Sequence, residues 1–219
     1  MEIAQTVFKL TIFFKENFLG QYYKGLILDK EKIIISDGRN YKYDGYKLLE
    51  LSYLWKCKSL DSVSAYIKDH PCRIAWIGDY SNSYAALLRV RKDEYMKYYN
   101  LIWANEEKTA FIDLVTSTTL EESKALYQDA YLINIDQKIY LDFNKFIKLN
   151  TYPNGDCFHP LSLLTACGNG QGNGDYPSSY SSDIGEWAFD TIYLSKTKPE
   201  EFTEKEYLLK FDFHEAFSF

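Results

Sequence analysis

The chain has 219 residues, 46% of them hydrophobic and only 11 glycine and 5 proline, a composition that excludes a disordered or collagen-like polymer. Its 25 basic and 31 acidic side chains give a formal charge of −6, which argues against a broad basic surface for binding nucleic-acid phosphates. Aromatic residues make up 17% of the chain, a surplus suited to half-buried sheet faces or to a partner-binding surface.

The apolar segment from Ile3 to Leu19 resembles an export signal only superficially. An acidic residue, Glu2, precedes it where a basic region is expected, and Lys9, Lys15 and Glu16 interrupt it. It is therefore neither a signal peptide nor a span of about 20 apolar residues that would cross a membrane. We expect a protein of the host-cell cytoplasm that does not contact the membrane.

Short apolar runs separated by turn residues fill the segment from Tyr22 to Tyr53. Asp-Gly pairs favour tight hairpins, because the turn needs positive φ, and Asp44-Gly45 is such a pair between alternating residues. The segment is predicted to form an antiparallel meander.

Further elements follow in alternating order. Residues Ser59 to His70 have the pattern of an amphipathic helix, capped by Ser59 or Asp61 and stopped by Pro71. The remaining predictions are a strand at 73–77, a helix at 121–129, a hairpin at 131–143, and strands at 187–194 and 207–213, with 84–105 left open between helix and strand-plus-helix. Together they predict an α+β protein, a mostly antiparallel sheet with hairpins and a few covering helices, folded as one compact domain over residues 1–219.

A glycine-rich segment, GNGQGNGDY at 168–176, places four glycines at alternate positions. Glycine at this density lets the backbone approach a ligand closely. The segment lacks the Gly-Lys-Ser/Thr ending of a phosphate loop and the spacing of a dinucleotide fingerprint. This favours a structural or partner-binding loop over a nucleotide site.

Two Gly-Asp-Tyr triplets present a carboxylate beside a phenol. Asp79 and Tyr80 follow the strand predicted at 73–77, and Asp175 and Tyr176 end the glycine-rich segment. If both triplets met in space, they would bind a cation or serve as acid and base, although turn formation alone also explains the aspartates. The predicted binding residues are Gly168, Gly170, Gly172, Gly174, Asp175, Tyr176, Asp79 and Tyr80. The candidate catalytic residues are Asp79, His159 and Asp175.

The four cysteines, Cys57, Cys72, Cys157 and Cys167, match neither a small disulfide scaffold nor a paired zinc motif. Cys157 and His159 stand two residues apart and would share one face of a strand. They would ligate a metal with Cys167, or with His70 and Cys72, or Cys157 would form a thiolate nucleophile assisted by a distant base. In a cysteine protease a helix would follow the nucleophilic cysteine, and here Pro160 would interrupt that helix. A buried free cysteine is favoured, and we predict no cofactor and no metal site.

Four motifs in chain order resemble a family of uncharacterised phage and prophage proteins. They are YDGYKLLE at 43–50, AWIGDY at 75–80, HPLSLLTACGNGQGNGDY at 159–176 and GEWA at 185–188. The resemblance implies a phage setting and carries over no catalytic residue, and Cys157 lies outside the shared pattern. Family members have an arginine-rich version of the glycine loop, where this chain has Gln171 and Asn173.

The phage setting, the acidic surface and the abundant tyrosine favour a stoichiometric binding protein over an enzyme. We expect an inhibitor of a host immune effector or nuclease, of the anti-CRISPR kind, whose partner is a host protein or ribonucleoprotein. One alternative is a small hydrolase or nucleotide-handling enzyme built around the segment from Gly168 to Tyr176. Another is a structural or assembly protein of the virion.

Overall fold

The fold belongs to the α+β class, with helices on both faces of a mostly antiparallel sheet. The computed structural model describes residues 21–30, 32–36, 46–81, 91–103, 119–168 and 183–209. Its strands are β1 (Tyr22–Asp29), β2 (Lys32–Ser36), β3 (Tyr46–Lys47), β4 (Cys72–Gly78), β5 (Tyr131–Asn134), β6 (Ile139–Asp142), β7 (Ala166–Cys167), β8 (Thr191–Ser195) and β9 (Thr203–Glu204). Its helices are α1 (Leu48–Leu51), α2 (Lys58–Tyr66), α3 (Lys92–Trp103), α4 (Leu120–Tyr127), α5 (Phe143–Asn150) and α6 (Pro160–Leu164).

The described strands form one sheet in the order β2-β1-β4-β8-β5-β6-β9, with β3 paired to β1 and β7 paired to β4. Strands β1 and β4 run antiparallel, with Tyr23 opposite Gly78 and Leu28 opposite Arg73. The pairs β4–β7 and β6–β9 are parallel, and the other pairs are antiparallel. Strand β8, late in the chain, joins the β1–β4 part of the sheet to the β5–β6 hairpin.

Alternation along the central strands divides the buried residues into two clusters. Ile27 and Ile74 belong to the first cluster, with residues of helices α2, α5 and α6. Leu26 and Ala75, their neighbours along the chain, belong to the second, with Tyr95 and Ile102 of α3. Burying each such aliphatic side chain contributes about 1.5–3 kcal/mol, so both faces of the sheet stabilise the fold.

Helix α2 differs at both ends from the sequence-based expectation. It begins at Lys58 after an N-cap at Cys57, so neither Ser59 nor Asp61 is the cap. Asp61 is buried and accepts a hydrogen bond from the Tyr127 hydroxyl at 2.8 Å. The helix ends at Tyr66, well before Pro71, because the backbone that follows bonds to strand β8 through Ile67 O (3.1 Å) and Asp69 N (2.7 Å) to Leu194.

Other predicted elements are confirmed or shifted. Strand β4, helix α4 and the β5–β6 hairpin are confirmed, and α3 makes the described part of 84–105 helical. The strand predicted at 187–194 begins only at Thr191, because Trp187 to Asp190 form turns and Trp187 Nε1 donates to the Tyr207 hydroxyl at 2.8 Å. Residues 207–209 are not a strand, and 210–213 lie outside the described residues, as does the predicted Asp44-Gly45 turn.

Candidate functional site

The carboxyl ends of β4 and β7 meet at one edge of the sheet. These strands are parallel, with Trp76 beside Ala166 and Ile77 beside Cys167. Gly78 and Gly168 follow directly, so two segments that the sequence predicted as binding loops begin side by side. Ligands of sheets with parallel strands bind outside such carboxyl ends. We call this region the tyrosine edge and define it as Gln21, Tyr23, Gly78, Asp79, Tyr80, Tyr99 and Gly168.

Two glycines let the backbone approach the side chains beneath the tyrosine edge. A Cβ atom at Gly168 would lie 1.7 Å from the Tyr23 hydroxyl and 2.6 Å from Gln21 Oε1. A Cβ atom at Gly78 would lie 2.4 Å from the Gln21 side chain. Tyr23 and Gln21 are themselves buried, and the Tyr23 hydroxyl donates to Gln21 Oε1 at 2.9 Å. Tyr23 and Gln21 therefore form a buried hydrogen-bonded pair, and the space next to it at positions 78 and 168 fits only glycine.

Asp79 is held by the backbone of β1. Its Oδ1 accepts a hydrogen bond from Tyr22 N at 3.0 Å, and its own N–H donates to Tyr22 O at 2.9 Å. Burial raises the pKa of the Asp79 carboxyl, although the Tyr22 amide opposes the shift. The Tyr99 hydroxyl of α3 donates to the Asp79 carbonyl, and Tyr80 leaves 47% of its surface exposed. The carboxylate is thus fixed beside two phenols, one of which faces solvent.

Five of the predicted binding residues lie outside the described residues. They are Gly170, Gly172, Gly174, Asp175 and Tyr176. The predicted meeting of the two Gly-Asp-Tyr triplets therefore stays a prediction. The structure brings together the points where the two segments start, Gly78 and Gly168.

His159 is buried beside Tyr127 and Phe143 of the first cluster. It is the N-cap of α6, where its Nδ1 accepts the Leu161 N–H at 3.1 Å, and its exposed fraction is 1%. The rings of Tyr127 and Phe143 meet the imidazole edge to face. Burial lowers the pKa of His159 to about 3, so the imidazole is neutral and closed to solvent. The structure does not bring it to Asp79, which bonds to β1 and α3.

The thiol and metal interpretations of Cys157 are not supported by the geometry. Cys157 is buried in the first cluster and Cys167 in the second, on opposite sides of the sheet. Burial raises the pKa of the Cys157 thiol to about 11, which leaves it protonated and a poor nucleophile at neutral pH. Pro160 does not interrupt a helix but begins one, because proline suits the first residue of α6. The predicted buried free cysteine is confirmed.

A different cluster of potential metal ligands lies at the opposite end of β1 and β4. Asp29 Oδ1 and His70 Nε2 are 3.1 Å apart, and the ligand atoms of Asp29, His70 and Cys72 all lie within 4.8 Å of one another. We call these three residues the Asp29 cluster. From the sequence, His70 and Cys72 were predicted only as possible metal-ligand partners of Cys157 and His159. Only strand pairing places Asp29 beside the other two.

A cavity of about 360 Å³ lies between α5 and β9, at the low end of the size range of ligand pockets. Lys145, which lines it, pairs with Glu204, and Lys205 pairs with Glu186 at 2.8 Å. Two of the lysines that line the cavity are thus engaged in ion pairs with glutamates.

Comparison of the chain with protein-family models, curated proteins and solved structures gave no match. Among the described residues, no helix has the length and apolar character needed to span a bilayer.

Proposed function

We propose that the protein is a stoichiometric binding protein that inhibits a host immune effector or nuclease through the tyrosine edge. The observation that carries this proposal is the position of Tyr80, 47% exposed, next to the half-buried Tyr99 and the fixed carboxylate of Asp79. Tyrosine is enriched among the residues that dominate binding energy at interfaces, because it buries a large area at low entropic cost.

The positions of two motifs support the same region. The phage-protein motif at 75–80 ends at Tyr80, and the motif at 159–176 runs through β7 to Gly168 and beyond. The sheet places the ends of β4 and β7 side by side. Two of the four motifs therefore reach the tyrosine edge. A phage setting, and with it a host partner, remains part of the proposal.

Catalysis has less support than binding among the described candidates. General acid–base catalysis needs a titratable side chain within hydrogen-bond reach of the reacting atoms. Asp79 lies at the tyrosine edge, whereas His159 is 1% exposed and enclosed by Tyr127 and Phe143. An exposed tyrosine at a fixed strand end is suited to recognition of a partner's surface, where tyrosine supplies much of the contact energy.

A small hydrolase or nucleotide-handling enzyme is the second candidate. The raised pKa of Asp79 at the carboxyl end of a parallel strand pair favours it, because such groups occur at active sites. Asp79→Asn separates the two candidates. An enzyme would lose turnover by orders of magnitude, whereas a binding protein would retain most of its affinity.

The test compares wild-type protein with Tyr80→Ala and with Leu120→Ala, a matched control because Leu120 is 49% exposed on α4. Tagged proteins are incubated with host lysate, and any enriched protein is purified and titrated against each variant by calorimetry. We expect 1:1 binding that Tyr80→Ala weakens at least about tenfold, the cost of a typical hot-spot residue, and that Leu120→Ala leaves unchanged.

Two results would overturn the proposal. One is an enriched partner that binds all three proteins equally, since the interface would then lie elsewhere. The other is the absence of any stoichiometric partner together with a nucleotide or metabolite that raises the melting temperature of wild type but not of Asp79→Asn. Circular dichroism of Tyr80→Ala checks that the fold is intact.

A further inference from the structure

We propose that Asp29, His70 and Cys72 form a three-ligand site for Zn²⁺, with the fourth coordination position open to water or to a partner's side chain. The proposal concerns the opposite end of the β1–β4 pair from the tyrosine edge and does not rest on the function proposed above. Gly78 lies five residues after Arg73 along β4, so the two ends of the strand pair are about 17 Å apart at 3.3 Å per residue.

The donor atoms have the spacing of a tetrahedral site. Zinc binds nitrogen, oxygen and sulfur at about 2.0–2.3 Å, which sets the edges of its tetrahedron at about 3.3–3.8 Å. The Asp29 Oδ1 to His70 Nε2 distance is 3.1 Å, and Cys72 Sγ lies within 4.8 Å of both atoms.

The backbone fixes all three residues before any ion binds. Leu28 lies opposite Arg73 in the β1–β4 pair, so the next rung brings Asp29 opposite Cys72. His70 sits in a tight connection in which Asp69 adopts φ 54°, the Asp69 N–H donates to Leu194 O at 2.7 Å and the His70 N–H donates to Ile67 O at 3.2 Å. Two ligands on strands and one on an anchored turn give a preorganised site.

Tyr66 contacts two of the three proposed ligands, Asp29 and His70, and orients them. Its hydroxyl donates to Asp29 Oδ2 at 2.6 Å, which leaves Oδ1 directed to His70. Its ring meets the His70 imidazole edge to face at a centroid distance of 5.4 Å. Partners of this kind orient the ligands of metal sites, and their loss weakens binding about 10–100-fold.

The set of donors selects zinc among common divalent ions. Calcium and magnesium prefer oxygen ligands only, whereas a mixed oxygen, nitrogen and sulfur set is typical of zinc. Asp29 and Cys72 are 8% and 2% exposed, while the His70 side chain is 46% exposed and faces solvent. The ion would therefore enter past His70, and three protein ligands would leave one position open, as in zinc sites that bind an exchangeable ligand.

Binding of Zn²⁺ releases the proton of the Cys72 thiol. Burial and the neighbouring Asp29 raise the pKa of Cys72 to about 12, so the free thiol is protonated at neutral pH. When the ion binds, the Sγ–H bond breaks, a Sγ–metal bond forms and the proton passes to solvent. No oxidant or reductant takes part.

Titration of metal-free protein with Co²⁺, a spectroscopic substitute for Zn²⁺, tests the site. We expect one equivalent to bind with a thiolate-to-cobalt charge-transfer band, and excess Zn²⁺ to remove the band. Cys72→Ala should abolish the band, and His70→Ala should weaken binding at least about tenfold. Cys157→Ala is the matched control, because it removes an equally buried thiol outside the cluster.

The proposal is overturned if wild-type protein shows no charge-transfer band, or if the band persists unchanged in Cys72→Ala or His70→Ala. His70→Ala keeps the test decisive should Cys72→Ala not fold, because His70 is half-exposed and its removal leaves the core intact. A second readout is the melting temperature. Zn²⁺ should raise it for wild type and Cys157→Ala, and raise it less for His70→Ala at the same Zn²⁺ concentration.

Discussion

The two ends of the β1–β4 pair each hold an aspartate, and the sheet treats these residues in opposite ways. At one end, hydrogen bonds from the Tyr66 hydroxyl and from His70 lower the pKa of Asp29. At the other end, burial raises the pKa of Asp79, with the backbone amide of Tyr22 as its direct partner. The same residue type on the same pair of strands is thus stabilised as an anion at one end and destabilised as an anion at the other.

The comparison shows that nearby donors and burial together decide what a carboxylate at a sheet end can do. Asp29 is 8% exposed, yet two side-chain partners keep it charged and available to a cation. Asp79 has only backbone donors for its side chain, the amide of Tyr22 foremost, and burial outweighs them. One end is therefore suited to binding a positive ion, and the other to a contact between surfaces.

Gly168→Ala should give the largest effect and tests whether the tyrosine edge is rigid. The new Cβ would overlap the hydroxyl of Tyr23, whose ring is 2% exposed and has no room to move. We expect a loss of about 2–3 kcal/mol in the free energy of unfolding, measured by urea denaturation. Gly155→Ala is the control: it has φ +85° but no atom within 4 Å of its Cβ, and should lose only about 1 kcal/mol. Equal losses would mean that the edge is not tightly packed.

Asp29→Asn should lower the free energy of unfolding by about 1–2 kcal/mol at pH 7, because it removes charge-assisted hydrogen bonds. The native pKa of Asp29 is lowered, so its contribution is present above the unfolded value of about 4 and is lost as the pH falls through the native value. The difference between variant and wild type should therefore shrink in acid. A difference that stays constant from pH 7 to about pH 3 would contradict this assignment.

Asp79→Asn should change stability by less than about 1 kcal/mol at pH 7, since the amide oxygen still accepts the Tyr22 N–H. The native pKa is raised, so protonation favours the folded state. That contribution is present below about pH 4 and is lost as the pH rises through the native value. Relative to the variant, the wild type should gain stability on acidification, measured by urea denaturation across this range. A loss as large as that of Asp29→Asn would remove the contrast between the two ends.

Local patterns predicted the elements whose signals are local. The β5–β6 hairpin and strand β4 follow from alternation and turn residues, and helix α4 begins with a capping box formed by Thr119 and Glu122. The end of α2 could not be predicted in the same way, because it is set by hydrogen bonds that join the backbone of Ile67 and Asp69 to β8, which lies far along the chain. Pro160 was likewise assigned to a helix break, although proline also begins helices.

The candidate sites likewise contain some residues that local sequence patterns reveal and others that only distant strand pairing brings together. Asp79 and Tyr80 were predicted because a Gly-Asp-Tyr triplet after a strand is visible in the sequence. The proximity of Gly168 to them could not be predicted, because it depends on the parallel pairing of β4 with β7. The Asp29 cluster was missed because its members meet only through the β1–β4 register and the turn before β4. His159 was a candidate by residue type alone, and burial removes its reactivity.

The position of β8 also sets the order in which the protein can be assembled during synthesis. Strands β1, β2 and β4 leave the ribosome early, yet β4 receives its neighbours β7 and β8 only after residues 166 and 191 have been made. Until then, the open side of β4 and that of β5 present unpaired backbone groups that invite association with other chains. Premature termination shortly before Thr191 should consequently yield aggregates, whereas completion of β8 closes both open sides in one step.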